Sequence, residues 1–262
     1  DVVYISLPNC LHAEWTIKAA AAGKHVLCEK PIALSTQDVT AIADAATKHG
    51  VVIAEAFMYR HHPQTLKVCE LIESGVIGEM RLIRGGFSYP LSRAGDVRLK
   101  PELGGGSIWD VGCYPISFAR TALGGAAPSE VFGWQIMGPT GVDVSFFGQM
   151  RYTNGVCVQI DSSFQSALRM VMEFVGSEGC ITLDNAFKPD GDSQLSLQRG
   201  DGSIEILRFP DQELYLSEVE DLYDAVVHGK RQLIPLDDSS KNIATILALL
   251  QSARASTPTQ LR

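Results

Sequence analysis

Short β-branched or aromatic runs alternate with helical stretches along the first 75 residues of the chain. Asp1–Ser6 reads as a strand, and Leu7-Pro8-Asn9 turns the chain into a helix from about His12 to Ala22 with Gly23 behind it. His25–Glu29 is the next strand, stopped by Pro31, which has no backbone N–H to give to a ladder. Ser35 or Thr36 caps a second helix with Asp38 in its first turn, and that helix ends at Gly50. Val51–Phe57 is a third strand, and a helix from Pro63 to about Ser74 ends at Gly75. Strand–helix–strand alternation of this kind predicts a parallel sheet covered by helices.

The pattern changes at Gly78. Strands are predicted over 81–88, 130–136, 145–152, 156–164, 169–175, 180–183, 194–198 and 204–209. Asn154-Gly155, Ser177-Glu178-Gly179 and Asp201-Gly202 supply turns between them. One long helix interrupts the run, from Gly104-Gly105-Gly106 to about Leu123. Helices near 217–228 and 239–255 close the chain. The chain therefore divides into an α/β part, residues 1–75, and an α+β part, residues 76–262, with a large, mostly antiparallel sheet.

Composition narrows the function classes. The 262 residues carry a formal charge of -8, with no basic stripe for nucleic acid, and no apolar run long enough to span a membrane. A soluble protein is expected. Cys10, Cys28, Cys69, Cys113, Cys157 and Cys180 show neither Cys-x-x-Cys nor a zinc-like histidine spacing. Reduced, mostly buried thiols in a cytoplasmic protein without a metal site are the expectation.

Three segments concentrate side chains capable of chemistry. Glu29-Lys30-Pro31 lies at the carboxyl end of a buried strand, where open α/β sheets bind ligands, or else forms a charged surface turn. Glu55–Pro63 leaves the next strand at the same sheet edge. There Arg60 can hold an anion or a salt bridge, and His61-His62, being adjacent, point apart and make a poor metal pair. In the third segment, glycines 104–106 permit close backbone approach, and Asp110 and Tyr114 share a face if the segment is helical. Pro115 disfavours helical geometry at Tyr114, which calls for a bent or late-starting helix. An aspartate, a tyrosine and a lysine make a proton-transfer set, in which the Lys30 ammonium would lower the phenol pKa. Taken singly, Asp110 reads as a helix cap and Tyr114 as a core aromatic.

Ser6-Leu7-Pro8-Asn9 with His12, Gly23-Lys24-His25-Val26 running into Glu29-Lys30-Pro31, Glu55–Arg60 and Asp110-x-Gly112-x-Tyr114 together resemble the glucose–fructose oxidoreductase and inositol dehydrogenase (Gfo/Idh/MocA) family. The similarity is greatest to its dihydrodiol dehydrogenase and D-xylose dehydrogenase branch. The resemblance implies hydride transfer between NADP (or NAD) and a hydroxyl carbon of a sugar or cyclic polyol. It implies Lys30, Asp110 and Tyr114 as the catalytic set, with Tyr114 as acid/base. It places Leu7, Pro8, Asn9, His12, Glu29 and Lys30 along the dinucleotide and Arg60 near the nicotinamide. It also implies a homo-oligomer formed through the C-terminal sheet.

The family's opening Gly-x-Gly-x-x-Gly element is absent from the sequence. On this reading residues 1–75 are the C-terminal half of a Rossmann-type sheet in an N-terminally truncated oxidoreductase with weakened cofactor binding. The alternative is a non-catalytic sugar-binding or oligomeric module that has lost its nucleotide half.

Overall fold

A computed structural model describes residues 1–261 except 94 and 192. The first sheet has three parallel strands in the order β1 (Val2–Ile5), β2 (His25–Glu29), β3 (Ile53–Ala56). Its register pairs Val2 with His25 and Ile5 with Cys28, then Val26 with Ile53 and Glu29 with Ala56. The carboxyl ends of β1 and β2 therefore lie side by side. Helices α1 (His12–Ala21) and α2 (Thr36–His49) pack together beside this sheet. Ser35 caps α2 by accepting from the Asp38 N–H at 3.1 Å, and Gly50 closes it in the left-handed conformation that glycine takes without strain. Alternate residues of β2 go to opposite faces: Val26 and Cys28 join the main core, whereas Leu27 packs with Ala54, Ala56 and Leu222.

Helix α3 (Pro63–Glu73) leads into the second sheet. His62 is its N-cap, Nδ1 accepting from the Gln64 N–H at 3.1 Å, while His61 Nε2 lies 3.4 Å from Asp221. The two rings point apart, as adjacency requires.

The second sheet has nine strands: β4 (Met80–Ser88), β5 (Glu130–Met137), β6 (Asp143–Arg151), β7 (Cys157–Ser163), β8 (Arg169–Gly176), β9 (Gly179–Leu183), β10 (Gln194–Arg199), β11 (Ile204–Arg208) and β12 (Thr259–Gln260). Their spatial order is β11-β10-β9-β8-β4-β7-β6-β5-β12. Among the described residues only the β4–β7 pair of this sheet is parallel, so the sheet is mostly antiparallel as expected. β12 is two residues long and carries no periodic signal that sequence reading could catch.

Helix α4 (Cys113–Ala122) crosses one face of this sheet, over β4 and β7. The helix expected from the glycine triplet to Leu123 starts late. Pro115 has no N–H to donate to the Val111 carbonyl, and a wide π turn over Ile108–Gly112 precedes the regular helix. The last two helices tie the halves together. The Leu222 side chain of α5 (Leu216–His228) covers one face of the first sheet, and α6 (Leu236–Ala255) touches α2, α4, β3 and β5.

One expectation is corrected. Of the six free cysteines only Cys28 and Cys113 are buried, while Cys10 and Cys157 are exposed. Cys157 opens β7 on a position that alternation turns outward. Among the described residues no helix is long and apolar enough to cross a membrane.

Candidate active site

Two cavities meet where the sheets abut. The first, about 410 Å³, lies outside the carboxyl ends of β1 and β2, between Leu7-Pro8-Asn9 and the glycine triplet. The second, about 490 Å³, is walled by Met58, Phe87, Tyr89, Tyr114, Met170 and Tyr215. Glu29, Lys30, Arg98 and Asp110 belong to both.

Each of the four is held by local chemistry. Lys30 leaves the end of β2, and its Nζ donates to the Asp110 carbonyl at 2.6 Å and to Asp110 Oδ1 at 3.2 Å. Asp110 lies in the π turn, its N–H bonded to the Gly106 carbonyl at 3.0 Å. Its other oxygen, Oδ2, accepts from the Tyr89 hydroxyl at 2.7 Å and pairs with Arg98 Nε at 3.0 Å. Glu29 accepts from the Tyr4 hydroxyl.

The turn itself is anchored from β6. Asp143 Oδ2 accepts from the Ser107 hydroxyl at 2.7 Å and from the Ile108 N–H at 2.9 Å. Burial pushes the Asp143 carboxyl up to about 6 against the pull of those hydrogen bonds.

The charges are balanced. Side-chain exposure is 12% for Lys30 and 13% for Asp110, and burial alone would push the Asp110 carboxyl up. The Lys30 and Arg98 charges, with the Tyr89 and Arg98 hydrogen bonds, overcome it and hold Asp110 below the usual carboxylate range. Burial would lower the Lys30 ammonium, but the neighbouring Tyr114 and Asp110 raise it instead.

Tyr114 follows the π turn in the first turn of α4. Its ring packs edge-on against Phe57 and Phe87, each at 5.4 Å between centroids, and its hydroxyl donates to Met58 Sδ at 3.8 Å. The Lys30 ammonium lies 5.0 Å from the centroid of the ring, over its face. This corrects the expectation of a depressed phenol. Burial raises Tyr114 above the usual tyrosine range, and the counter-pull of Lys30 is too small to reverse it. Tyr114 is therefore protonated at neutral pH.

The residues expected along the dinucleotide separate into two groups. Leu7, Pro8, Asn9, His12, Glu29 and Lys30 all line the first cavity. The buried His12 ring bridges two loops, its Nδ1 2.7 Å from the Pro31 carbonyl and its Nε2 2.7 Å from the Leu7 carbonyl. Asn9 donates to the Gly104 carbonyl at 2.9 Å, fixing the opposite wall. Arg60 is elsewhere. It is buried, its Nη1 2.9 Å from Asp238 and 3.3 Å from the Ser117 hydroxyl, and it lines neither cavity. Its expected place near the nicotinamide is corrected: the salt-bridge reading of this arginine holds.

Sequence reading missed Tyr89 and Arg98. Both come from the segment between β4 and the glycine triplet, which has no periodicity and no motif. Arg98 is carried by a short strap pinned to the triplet. The Gly106 N–H donates to the Arg98 carbonyl at 2.9 Å, and a side chain at Gly105 would meet that carbonyl oxygen at 2.4 Å. The triplet thus allows close backbone approach to the chain itself as well as to a ligand.

A nicotinamide–ribose unit fits the first cavity. It lies at the strand ends where dinucleotides bind in open α/β sheets, with apolar Leu7 and Pro8, the amide and hydroxyl of Asn9 and Ser6, the Glu29 carboxylate and the Lys30 ammonium along its walls.

A short parallel sheet opens at its strand ends onto a cavity lined by a lysine and an aspartate, beside a second cavity that also holds a tyrosine. Comparison with known proteins agrees. Residues 1–57 match the oxidoreductase family with an NAD-binding Rossmann fold, and residues 65–182 match the GFO/IDH/MocA C-terminal domain. D-xylose 1-dehydrogenase (NADP(+)) 2 of Haloferax volcanii is 35% identical over 264 residues, covering 100% of this chain and 80% of its own length. The aldose-aldose oxidoreductase of Caulobacter crescentus, solved with glycerol, superposes with a TM-score of 0.93 at 26% identity, covering 100% of this chain and 79% of that one. A 3-ketoreductase from Actinomadura kijaniata, solved with NADP and TDP-benzene, superposes with a TM-score of 0.90 at 30% identity, covering 96% and 78%. The chain belongs to the Gfo/Idh/MocA family, and it is an NAD(P)-dependent oxidoreductase.

Proposed function

We propose that the protein interconverts a hydroxyl and a carbonyl on a sugar or cyclic polyol, with Lys30, Asp110 and Tyr114 as the groups that hold and move the proton. The observation that carries this reading is the shared wall: Lys30 and Asp110 face both cavities, and Tyr114 stands in the second. Residues 1–75 are the nucleotide half and residues 76–262 the substrate half, with α5 reaching back over the first sheet.

A bound nicotinamide supplies or accepts the hydride. Leu7, Pro8, Asn9, His12 and Glu29 shape and floor its cleft. In the reducing direction the Tyr114 hydroxyl gives its proton to the substrate carbonyl oxygen, and the Lys30 ammonium stabilises that oxygen as negative charge develops. Asp110 stays ionised and fixes Lys30. In the oxidising direction Tyr114 receives the substrate's hydroxyl proton after losing its own, a loss that the Lys30 charge favours and burial opposes.

The relatives' preference for sugars supports the substrate class. The open face of the nine-stranded sheet, with exposed Trp134, Ile136 and Phe147, receives a second copy of the chain. Six unpaired thiols accord with a reducing cytoplasm.

The test is a dinucleotide-reduction assay at about 340 nm, the absorbance of reduced nicotinamide, with NADP and NAD across aldoses, inositols and trans-dihydrodiols. Turnover of at least one class is expected. A folded, nucleotide-binding protein that turns over none of them contradicts the assignment.

A further inference from the structure

Arg98 stands in both cavities and has no assigned role. Its guanidinium offers five N–H groups, of which Nε is engaged by Asp110 at 3.0 Å and Nη1 by Asp96 at 3.2 Å. The side chain remains 43% exposed and lines both cavities. On the other oxygen of the same carboxylate sits Lys30, which gives two of its three donors to Asp110 and has one left for the cavity. One carboxylate thus holds two cationic donor groups side by side, one on each oxygen.

We infer that Arg98 is a specificity-determining residue, and that the substrate carries oxygens on two adjacent carbons. The reacting oxygen lies with Lys30 and Tyr114, and the neighbouring hydroxyl accepts from the spare N–H groups of Arg98. This rests on reading the second cavity as the substrate site.

Charge selects among ligands that could meet these donors. Three cations line the second cavity, Lys30, Arg98 and Lys188, against Glu29 and Asp110, and Asp96 pairs with Arg98 from outside the lining. Positive and negative groups thus balance, and the wall carries no excess charge to mark a phosphate or carboxylate site. Uncharged hydroxyls suit it. Tyr89 completes the edge: its proton is committed to Asp110, which leaves its oxygen as an acceptor for a hydroxyl proton.

The role predicts selectivity, which a purely structural arginine would not control. Arg98→Lys preserves a cation beside Asp110 but loses the fork, and Arg98→Gln loses both. The probes are two matched pairs, trans-1,2-cyclohexanediol against cyclohexanol and D-xylose against 2-deoxy-D-xylose, compared by kcat/KM with NADP. The wild type is expected to prefer the vicinal member of each pair by about 10²-fold or more. That ratio should fall by about 10- to 100-fold in both variants. Equal losses on both members of a pair, with the ratio intact, would assign Arg98 a structural role and overturn the inference, as would a wild type with no preference.

Titration calorimetry of the same pairs, without turnover, separates this inference from the functional reading. A binding preference for the vicinal member that disappears in Arg98→Gln supports it even if no pair is turned over. Equal binding of both members by the wild type overturns it.

Discussion

Two aspartates in this molecule each hold two cations, and they serve different ends. Asp238, in the first turn of α6, pairs with Arg60 at 2.9 Å and with Arg120 at 2.9 Å. Arg120 is 0% exposed and also donates to the Asp238 and Gly125 carbonyls, each at 3.0 Å, while its Nε and that of Arg60 are buried without a partner among the described residues. That cluster is sealed, and it bolts α6, α4 and the segment after β3 together. Asp110 has a similar composition around it, but its cations keep spare donors and face two cavities. The comparison teaches that charge count does not mark an active site. Unused donors at a cavity wall do.

Breaking the sealed cluster should have the largest effect on stability. Asp238→Ala leaves two buried guanidinium groups without their counter-charge, so a loss of about 3–5 kcal/mol is expected in chemical denaturation. Activity should then fall only as far as the folded fraction falls.

Asp110→Asn is the contrasting case. It frees Lys30 and Arg98 at a cavity wall where Arg98 is 43% exposed, so kcat/KM should drop on the order of 10²-fold. The denaturation midpoint should move by less than that of Asp238→Ala. Equal destabilisation by both substitutions would erase the distinction between the clusters.

Glu218 sharpens the contrast from the other side, as a carboxylate with no cation paired to it among the described residues. It is 4% exposed, and burial followed by repulsion from Glu29 pushes it up to about 8. A folded-state pKa above the ordinary value means that protonation favours the fold. The contribution is complete below the unfolded pKa near 4.5 and is lost as pH rises through about 8. Between these limits the wild type should lose stability relative to Glu218→Gln, by on the order of a few kcal/mol at the alkaline end. Parallel stability–pH curves for the two proteins would contradict this.

The parts of the fold that sequence reading reaches are those written locally. Ser35 and Asp38 are three residues apart, Gly50 closes the same helix, and the alternation in β4 to β11 repeats every second residue, so each is visible within a short window. Lys30, Asp110 and Tyr114 are visible for a similar reason, as motifs at element ends. Arg98 and Tyr89 are not, because their meaning depends on a contact with Asp110 across a segment without periodicity. Arg60 is misplaced for the same physical reason: its partner, Asp238, is 178 residues away. The return of α5 over the first sheet is equally non-local, resting on Leu222 meeting Leu27, Ala54 and Ala56.

The central claim is that Tyr114 moves the proton at the wall between the two cavities. The most direct test compares Tyr114→Phe with wild type in single-turnover reduction of a sugar carbonyl, alongside equilibrium binding of NADPH. The substitution removes one oxygen whose only partner among the described residues is the Met58 sulfur, so folding and NADPH binding should be unchanged. The reduction rate should fall by about 10²-fold or more. A Tyr114→Phe protein that binds NADPH normally and reduces the carbonyl within a few-fold of wild type would contradict the account.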